Sequence, residues 1–410
     1  MDVETPLDTL SRPSAEKAVA WRPERTSAYR VEFRSGGAES WGEGPPQFTL
    51  TVRDRAHWRW LEQADAYSAA MAFLRGEFDI RGDTIAAVRF KLEQEDRSWR
   101  GRLYSLLARF APRRLESLFQ TKTRAARNIR FHYDRSNEFY RQFLDSKLVY
   151  SCAYFRDPEW DIDRAQEEKL DLICRKLAIE PGERFLDIGC GWGALVLHAA
   201  ERYGALAAGC TLSRRQFEYA RELAARQGLA RRVTILDRDY RDVDGRFEKI
   251  ASVGMFEHVG RRRMPAYFAK VRELLEDGGL FLNHGIIRPE GVADDAQTLF
   301  LQRRVFPGGE LPRLGTLVRQ AEEAGFEVLD VENLRPHYAL TCRAWVRRLE
   351  RNRETCVRLA GEETWRTWLL YLAGSAVNFE RGDTAVYQML LARRGPNEPR
   401  RLGREYMYAG

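Results

Sequence analysis

The most constraining stretch of this chain is Phe185-Leu-Asp-Ile-Gly-Cys-Gly-Trp-Gly193. Residues 185–188 read as a buried strand with Asp187 near its end. Glycines at 189, 191 and 193 make a turn, and Ala194-Leu-Val-Leu-His-Ala-Ala-Glu-Arg202 continues at helical spacing. Strand, glycine turn and helix in this order open a ligand crevice at the carboxyl edge of a parallel α/β sheet. Glycine lets the backbone pass close beneath a ligand at φ values that a Cβ forbids. The stretch predicts an α/β fold built around a cofactor; the plainer alternative is a glycine-rich turn in some other α/β protein.

The neighbours decide which cofactor fits. The spacing is Gly-x-Gly-x-Gly, not the Gly-x-Gly-x-x-Gly that seats a pyrophosphate on a helix N-terminus. Asp187 precedes the first glycine and suits a ligand carrying an amine and a sulfonium. The next strand, 206–212, ends without the acidic residue that takes a ribose diol, so Ser213 and Gln216 are the candidates for those hydrogen bonds. All three observations favour S-adenosylmethionine over a dinucleotide.

The chain has 410 residues, enough for two domains, and its 44% hydrophobic and 31% charged content is that of a globular protein. No run approaches the ~20 apolar residues of a membrane-spanning helix, and the amino terminus lacks a signal-peptide pattern. Six cysteines, at 152, 174, 190, 210, 342 and 356, show no Cys-x-x-Cys pair. They fit reduced thiols in a cytoplasm rather than a disulfide or metal framework. The formal charge of +7 points to an anionic partner. Between Arg89 and Arg130, twelve Lys and Arg face four acids, a net of +8, and Trp99, Phe110 and Phe119 run among them. That pattern suits an anionic membrane surface and equally a solvated helix packed on its own domain. No base-reading motif accompanies it, so no nucleic acid is expected.

In chain order, residues 1–27 read as a loose segment and 28–90 as a small α+β module. Its strands at 29–33 and 47–52 carry hairpin signals, and its helices fall near 56–64 and 66–75. A basic segment, 91–127, links it to a second domain, 128–395, followed by a tail at 396–410. In the second domain a helix at 167–177 leads into the glycine-rich strand. Strands recur at 232–236, 249–253 and 279–284, with helices at 214–227 and 264–276. This alternation predicts a mostly parallel, doubly wound sheet. Residues 290–320 and 338–380 read as a helical cap able to enclose an apolar substrate.

The ordered motifs are His132-Tyr-Asp134 with Asn137 and Phe139, Tyr150-Ser-Cys-Ala-Tyr-Phe155, and Leu186 to Gly193. They continue with Thr211-Leu-Ser213 and Gln216, Gly254-Met-Phe-Glu-His-Val-Gly260, Phe306-Pro-Gly-Gly309, and Pro336-His-Tyr338. With them the chain resembles the cyclopropane-fatty-acid synthases, the family that includes the mycolic acid cyclopropane synthases, over about residues 128–395. The amino-terminal module is similar to the extra, lipid-binding-like domain of the bacterial phospholipid enzymes. The resemblance implies a Rossmann-like class I methyltransferase sheet with a helical cap. It implies methyl transfer from S-adenosylmethionine to the double bond of an unsaturated fatty acyl phospholipid. The resulting carbocation would lose a proton to bound bicarbonate and close a cyclopropane ring. A methyl- or methylene-branched product, without ring closure, is the alternative within the family. Outside it stand a lipid carrier without activity and a methyltransferase for heteroatom nucleophiles or nucleic acid.

By motif, the cofactor residues would be Tyr150, Ser151, Asp187, Gly189, Gly191, Gly193, Thr211, Leu212, Ser213, Gln216, Asp239 and Tyr240. A bicarbonate nest would use Glu257, His284 and Tyr338 through side chains, and Cys152 and Ile286 through backbone groups. Each has a plainer alternative: Cys152 as a small buried hydrophobe, His284 as a satisfied core histidine, Tyr338 as packing. Glu257 and His284 both follow buried-strand runs, which places them at the crevice edge. Two departures stand out. Ser375 replaces a frequent family cysteine, which puts a covalent role there in doubt, and Arg135-Ser136 replaces a common Leu-Gly. The expected partners are the acyl phospholipid and an anionic membrane on its cytoplasmic face, and a homodimer is left open.

Near an anionic surface each Lys or Arg contributes about 1 kcal/mol, falling off within a Debye length. Reversing Arg109, Arg113 and Arg114 to Glu is therefore expected to weaken sedimentation with anionic vesicles and leave cofactor affinity unchanged. Vesicle binding equal to wild type would make the segment a linker.

Overall fold

The computed structural model describes residues 28–97, 136–292, 300–301, 304–305, 310–395 and 403–408. The expectations placed on residues 1–27, the basic stretch around Trp99, Arg109, Phe110, Arg113, Arg114 and Phe119, His132 to Arg135, and Phe306 to Gly309 lie outside these residues.

β1 (Tyr29–Phe33) turns at Gly36 and Gly37 into β2 (Ala38–Trp41), its antiparallel partner. β3 (Phe48–Val52) lies parallel to β1, with Tyr29 opposite Phe48. The expected hairpin of 29–33 with 47–52 is thus corrected: the hairpin partner is β2, whose four residues Ala-Glu-Ser-Trp are too few and too polar to show a period. α1 (Arg55–Gln63) and α2 (Ala66–Leu74) start where the Asp54 and Asp65 carboxylates accept from the amides of His57 and Ser68. β4 (Asp79–Gly82) pairs antiparallel with β3 and completes a four-stranded sheet, β2-β1-β3-β4. α3 (Thr84–Arg97) follows, so the boundary expected at residue 90 falls inside a helix.

Beyond α3 come α4 (Asn137–Arg141), capped by the Ser136 hydroxyl, and α5 (Ile162–Lys176). The doubly wound part then runs β5 (Arg184–Ile188), α6 (Ala194–Arg202), β6 (Leu206–Thr211), α7 (Arg214–Arg226) and β7 (Val233–Asp237). It continues through β8 (Phe247–Val253), α8 (Met264–Leu274), β9 (Leu275–Ile287), α9 (Leu314–Glu323) and β10 (Phe326–Asn333). The last elements are α10 (Arg335–Arg351), α11 (Arg353–Ala360), α12 (Glu362–Arg381), β11 (Ala385–Arg393) and α13 (Glu405–Tyr408).

The large sheet has the order β10-β11-β9-β8-β5-β6-β7. From β9 to β7 neighbouring strands are parallel, and β11 runs antiparallel to both β9 and β10. The winding direction reverses between β5 and β8, and there the strand ends leave a crevice. The parallel core matches the expected doubly wound fold. β10 and β11 were not anticipated: β11 is an apolar run buried on both faces, with no alternation to separate strand from helix. The expected cap is narrower at its start. Among the described residues of 290–320 the long helix begins only at Leu314, whereas α10 to α12 do form a helical layer rich in Trp, Tyr and Leu.

One continuous apolar cluster runs from Val31, Phe48 and Phe73 of the small sheet through Phe139 to Trp345, Trp368 and Leu372 of the helical layer. Each such side chain, fully buried, contributes about 1.5–3 kcal/mol. The amino-terminal module is thereby packed on α12 rather than tethered. Arg366 of α12 makes the polar part of this joint. It is buried, donates to the carbonyls of Phe73 and Phe78 at 3.1 Å each, and pairs with Asp79. An orphaned buried carbonyl costs about 1–3 kcal/mol. Arg366→Met is expected to lower stability by about 3 kcal/mol in urea unfolding; a midpoint equal to wild type would show that the apolar contacts alone hold the module.

Candidate active site

A cavity opens at the carboxyl ends of β5, β6 and β8, with about 1260 Å³ of empty space including its open mouth, room for a nucleoside-sized ligand. Tyr150, Ser151, Asp187, Gly189, Gly191, Thr211, Leu212, Gln216, Asp239 and Tyr240 line it. Gly193 and Ser213, also expected there, do not. Gly193 (φ +91°) starts α6 where a Cβ would lie 2.9 Å from that of Ala220 on α7, so this glycine serves helix packing. Ser213 spends its buried hydroxyl capping α7, accepting from the Gln216 amide at 3.4 Å.

The electrostatics favour a cation. Asp187 at the end of β5 is buried, and its Oδ1 has no hydrogen-bond partner. Burial pushes its pKa up to about 7, against the pull of the nearby Lys169. Lys169 is itself buried and lowered to about 8, and it donates to the Ser151 hydroxyl at 3.0 Å. A buried carboxylate oxygen left without a partner on a cavity wall matches an ammonium or sulfonium ligand. Other polar groups are committed to the wall. Asp239 accepts from Arg241 at 2.6 and 2.7 Å, and the Thr211 hydroxyl donates to Gln216 Oε1 at 2.9 Å.

Two residues of α5 escaped the sequence analysis. Gln166 donates to the carbonyls of Val149 and Ser151 at 3.2 and 2.9 Å, and with Lys169 it holds the Tyr150-Ser151 segment over the cavity. Their signal was present: polar residues three apart interrupt the buried stripe Ile162, Ala165, Leu170, Ile173. Trp192 was also missed as a wall residue. Its indole donates to Asn137 Oδ1 at 2.9 Å, tying the glycine turn to α4.

None of the five residues expected to form an anion nest lines this cavity, although Cys152 and Glu257 are chain neighbours of its lining residues Ser151 and His258. Glu257 sits in a short turn, Phe256–His258, just past β8, between cavity-lining Met255 and His258. Its Oε1 accepts from the Ile286 amide at 2.7 Å, whereas Oε2 is buried without a partner, and burial raises its pKa to about 7. The Ile286 amide is thus taken and not free for a ligand. His284 lies two residues earlier on the same side of β9, opposite Val253 at the end of β8. It is buried, its Nε2 has no partner, and burial holds its pKa well below the usual imidazole range. Tyr338, in the first turn of α10, is pushed well up by burial and by nearby Cys342, Cys152, Tyr150 and Glu257. Cys152 is buried, its thiol donates to the Ala153 carbonyl at 3.2 Å, and burial pushes it well up, so it is no thiolate nucleophile.

Aromatic rings connect the two sites. Tyr150, which lines the cavity, is 5.3 Å from Trp345. Trp345 is 6.1 Å from Tyr338, and Tyr338 stacks on Phe379 at 4.5 Å. Ser375, one turn before Phe379 on α12, is half-buried and does not line the cofactor cavity. All six cysteines are free and buried, and no metal-holding cluster occurs among the described residues.

Gly191 has φ +54° and a Cβ there would meet no atom within 4 Å, so a larger side chain would stand in the cavity on a strained backbone. Gly191→Val is expected to abolish S-adenosylmethionine binding in calorimetric titration. An affinity equal to wild type would remove the glycine turn from the cofactor site.

The sequence profile of the mycolic acid cyclopropane synthetase family matches residues 120–389. A "probable fatty acid methyltransferase" of Pseudomonas putida is 40% identical over 85% of this chain and 88% of its own length. The "tuberculostearic acid methyltransferase UfaA1" of Mycobacterium tuberculosis is 38% identical over 67% of each chain. The solved structure of mycolic acid cyclopropane synthase CmaA1, complexed with SAH and CTAB, superposes with a TM-score of 0.63. It is 34% identical and covers 65% of this chain and 97% of that one. With this sheet, this glycine turn and these matches, the chain belongs to the mycolic acid cyclopropane synthetase family of S-adenosylmethionine-dependent methyltransferases.

Proposed function

We propose that the enzyme methylates the double bond of an unsaturated fatty acyl chain carried on a phospholipid, and that loss of a proton then closes a cyclopropane ring. One arrangement carries this: Asp187 Oδ1 lines the cavity beside Lys169, whose charge favours the carboxylate that a cation needs. Next to the cavity wall lie Glu257 Oε2 and His284 Nε2, which can both donate to a small anion when Glu257 is protonated. Both sets of unpartnered atoms fit the groups that would fill them, S-adenosylmethionine and bicarbonate.

When bound, S-adenosylmethionine supplies an electrophilic methyl group. Asp187 orients the cofactor's cationic end, and the segment held by Gln166 and Lys169 closes over it. An alkene carbon that takes the methyl leaves positive charge on its neighbour. The rings of Tyr150, Trp345 and Tyr338 offer that charge π faces, and the buried surroundings keep out water that would quench it. Bicarbonate, held by Glu257, His284 and Tyr338, would supply a base for the final proton. Glu257, with its pKa near 7, donates from its protonated form to such an anion. Proton loss from the added methyl gives the ring.

A branched product is the second reading, favoured by the names of two relatives, a probable fatty acid methyltransferase and a tuberculostearic acid methyltransferase. Mass spectrometry and proton NMR of lipids from a host expressing the enzyme separate the two. Cyclopropane methylene signals support ring closure, and a methyl or methylene branch replaces it with the second reading. The bilayer supplies the substrate, and the basic segment is the proposed docking element. No helix among the described residues is long and apolar enough to cross a membrane.

Losing one charge-assisted hydrogen bond to a buried anion costs ~1.5–3 kcal/mol, roughly ten- to a hundredfold in anion affinity. Glu257→Ala and His284→Ala are expected to lose turnover on that scale while keeping cofactor affinity, with partial rescue by added bicarbonate. Wild-type rates that match with and without bicarbonate in degassed buffer would count against the anion site.

A further inference from the structure

The unpartnered Nε2 of His284 is useful to an anion only if it carries the proton, and an imidazole can place its single proton on either nitrogen. The surroundings of the other nitrogen settle which. Gln388 of β11 stands directly opposite His284 in the antiparallel β9–β11 register. Its side-chain nitrogen is 3.2 Å from His284 Nδ1. An amide nitrogen only donates, so Nδ1 accepts and the proton resides on Nε2.

The amide in turn is held in that orientation. Lys176, the last residue of α5, is fully buried, and its ammonium donates to Gln388 Oε1 at 2.8 Å. An ammonium has no acceptor, so only the amide oxygen can face it. Lys176 is anchored from the far side by an ion pair with Glu332 of β10, with Asp330 3.9 Å away and the Tyr408 ring 5.9 Å away. Asp330 also pairs with Arg404, beside α13. A line of one-way donors therefore runs from the acidic edge of β10 through Lys176 and Gln388 to His284.

We propose that Gln388 is a positioning residue, oriented by Lys176, that fixes His284 as the Nε2–H tautomer and so aims a hydrogen-bond donor into the anion nest. The opposite tautomer would present a lone pair to an anion and repel it. The inference rests on the proposed role of His284 in holding the base. It extends the site to β11 and to the carboxyl-terminal helix, neither of which touches the cofactor cavity. It also gives a function to a buried glutamine on β11 and to the buried lysine of α5 that packs against it.

The test is nitrogen NMR on enzyme carrying ¹⁵N-labelled histidine; the chain has six, and His284→Asn assigns the signal. At neutral pH the wild type is expected to show His284 protonated on Nε2 and bare on Nδ1. A proton on Nδ1 overturns the proposal. Gln388→Glu replaces the donor by an acceptor of the same shape, still facing Lys176, and should bring a proton onto Nδ1. Gln388→Met, which offers no donor, should lower turnover about three- to tenfold at unchanged S-adenosylmethionine affinity. Unchanged turnover in that variant overturns the proposal. So does a fall in cofactor affinity as large as the fall in turnover, which would reduce Gln388 to packing. If the wild type does not methylate alkenes at all, the proposed function fails, and the NMR arm still decides the tautomer.

Discussion

Among the described residues, the buried polar atoms without a hydrogen-bond partner near the carboxyl edge of the sheet include Asp187 Oδ1, Glu257 Oε2 and His284 Nε2. A polar group sealed from water without a hydrogen bond costs about 1–3 kcal/mol, so the site is held in a state that a ligand of the right charge relieves. The cost is borne by the rest of the fold. β5, β8 and β9 are central strands, paired on both sides, and their backbone cannot shift to bring these atoms to water. The same strands set the spacing between these residues, because Glu257 lies just past β8 and His284 stands on β9 opposite the last residue of β8, while Asp187 lies near the end of β5 on the other side.

Around that edge the chain separates two kinds of dry interior. The cofactor side is walled by backbone turns and committed polar groups such as Asp239 with Arg241. The far side is walled by rings, from Tyr150 through Trp345 to Tyr338 and Phe379. An aromatic wall tolerates developing positive charge and supplies no nucleophile to capture it. Cys152 and Cys342, the thiols beside Tyr338, are kept protonated by burial. The helices carrying these rings also bind the amino-terminal module, through the shared apolar cluster and Arg366. The amino-terminal module and the helical layer beside the candidate site therefore share one core.

Much of the lining of the candidate cofactor cavity was legible in the sequence because it is local. The Leu186–Gly193 turn, Tyr150-Ser151, Thr211-Leu212 and Asp239-Tyr240 each lie at the end of one strand or in one short segment, and the crevice of a doubly wound sheet collects strand ends. Gly193 and Ser213 were assigned to the ligand from the same motifs, yet each meets a local need of α6 or α7 first. The pairing of β1 with β3 was misjudged since sequence proximity favours a hairpin, whereas the short β2 took that place. Lys169 and Gln166 were visible only as polar interruptions of an apolar stripe, a pattern that becomes meaningful once the stripe is known to face a cavity.

The sequence by itself determined the alternation of strands and helices from β5 to β9, the glycine turn and the residue types of a methyl-transferring site. Those follow from periodicity, backbone permissiveness and side-chain chemistry, which are properties of neighbours along the chain. Only the tertiary structure decided that β11 enters the sheet antiparallel and sets Gln388 across from His284, 104 residues away. It alone placed Lys176, from a helix preceding the cofactor strand, behind that amide. A tautomer depends on which donor stands within about 3 Å of one nitrogen, and that distance is set by strand register across the whole sheet rather than by any local segment.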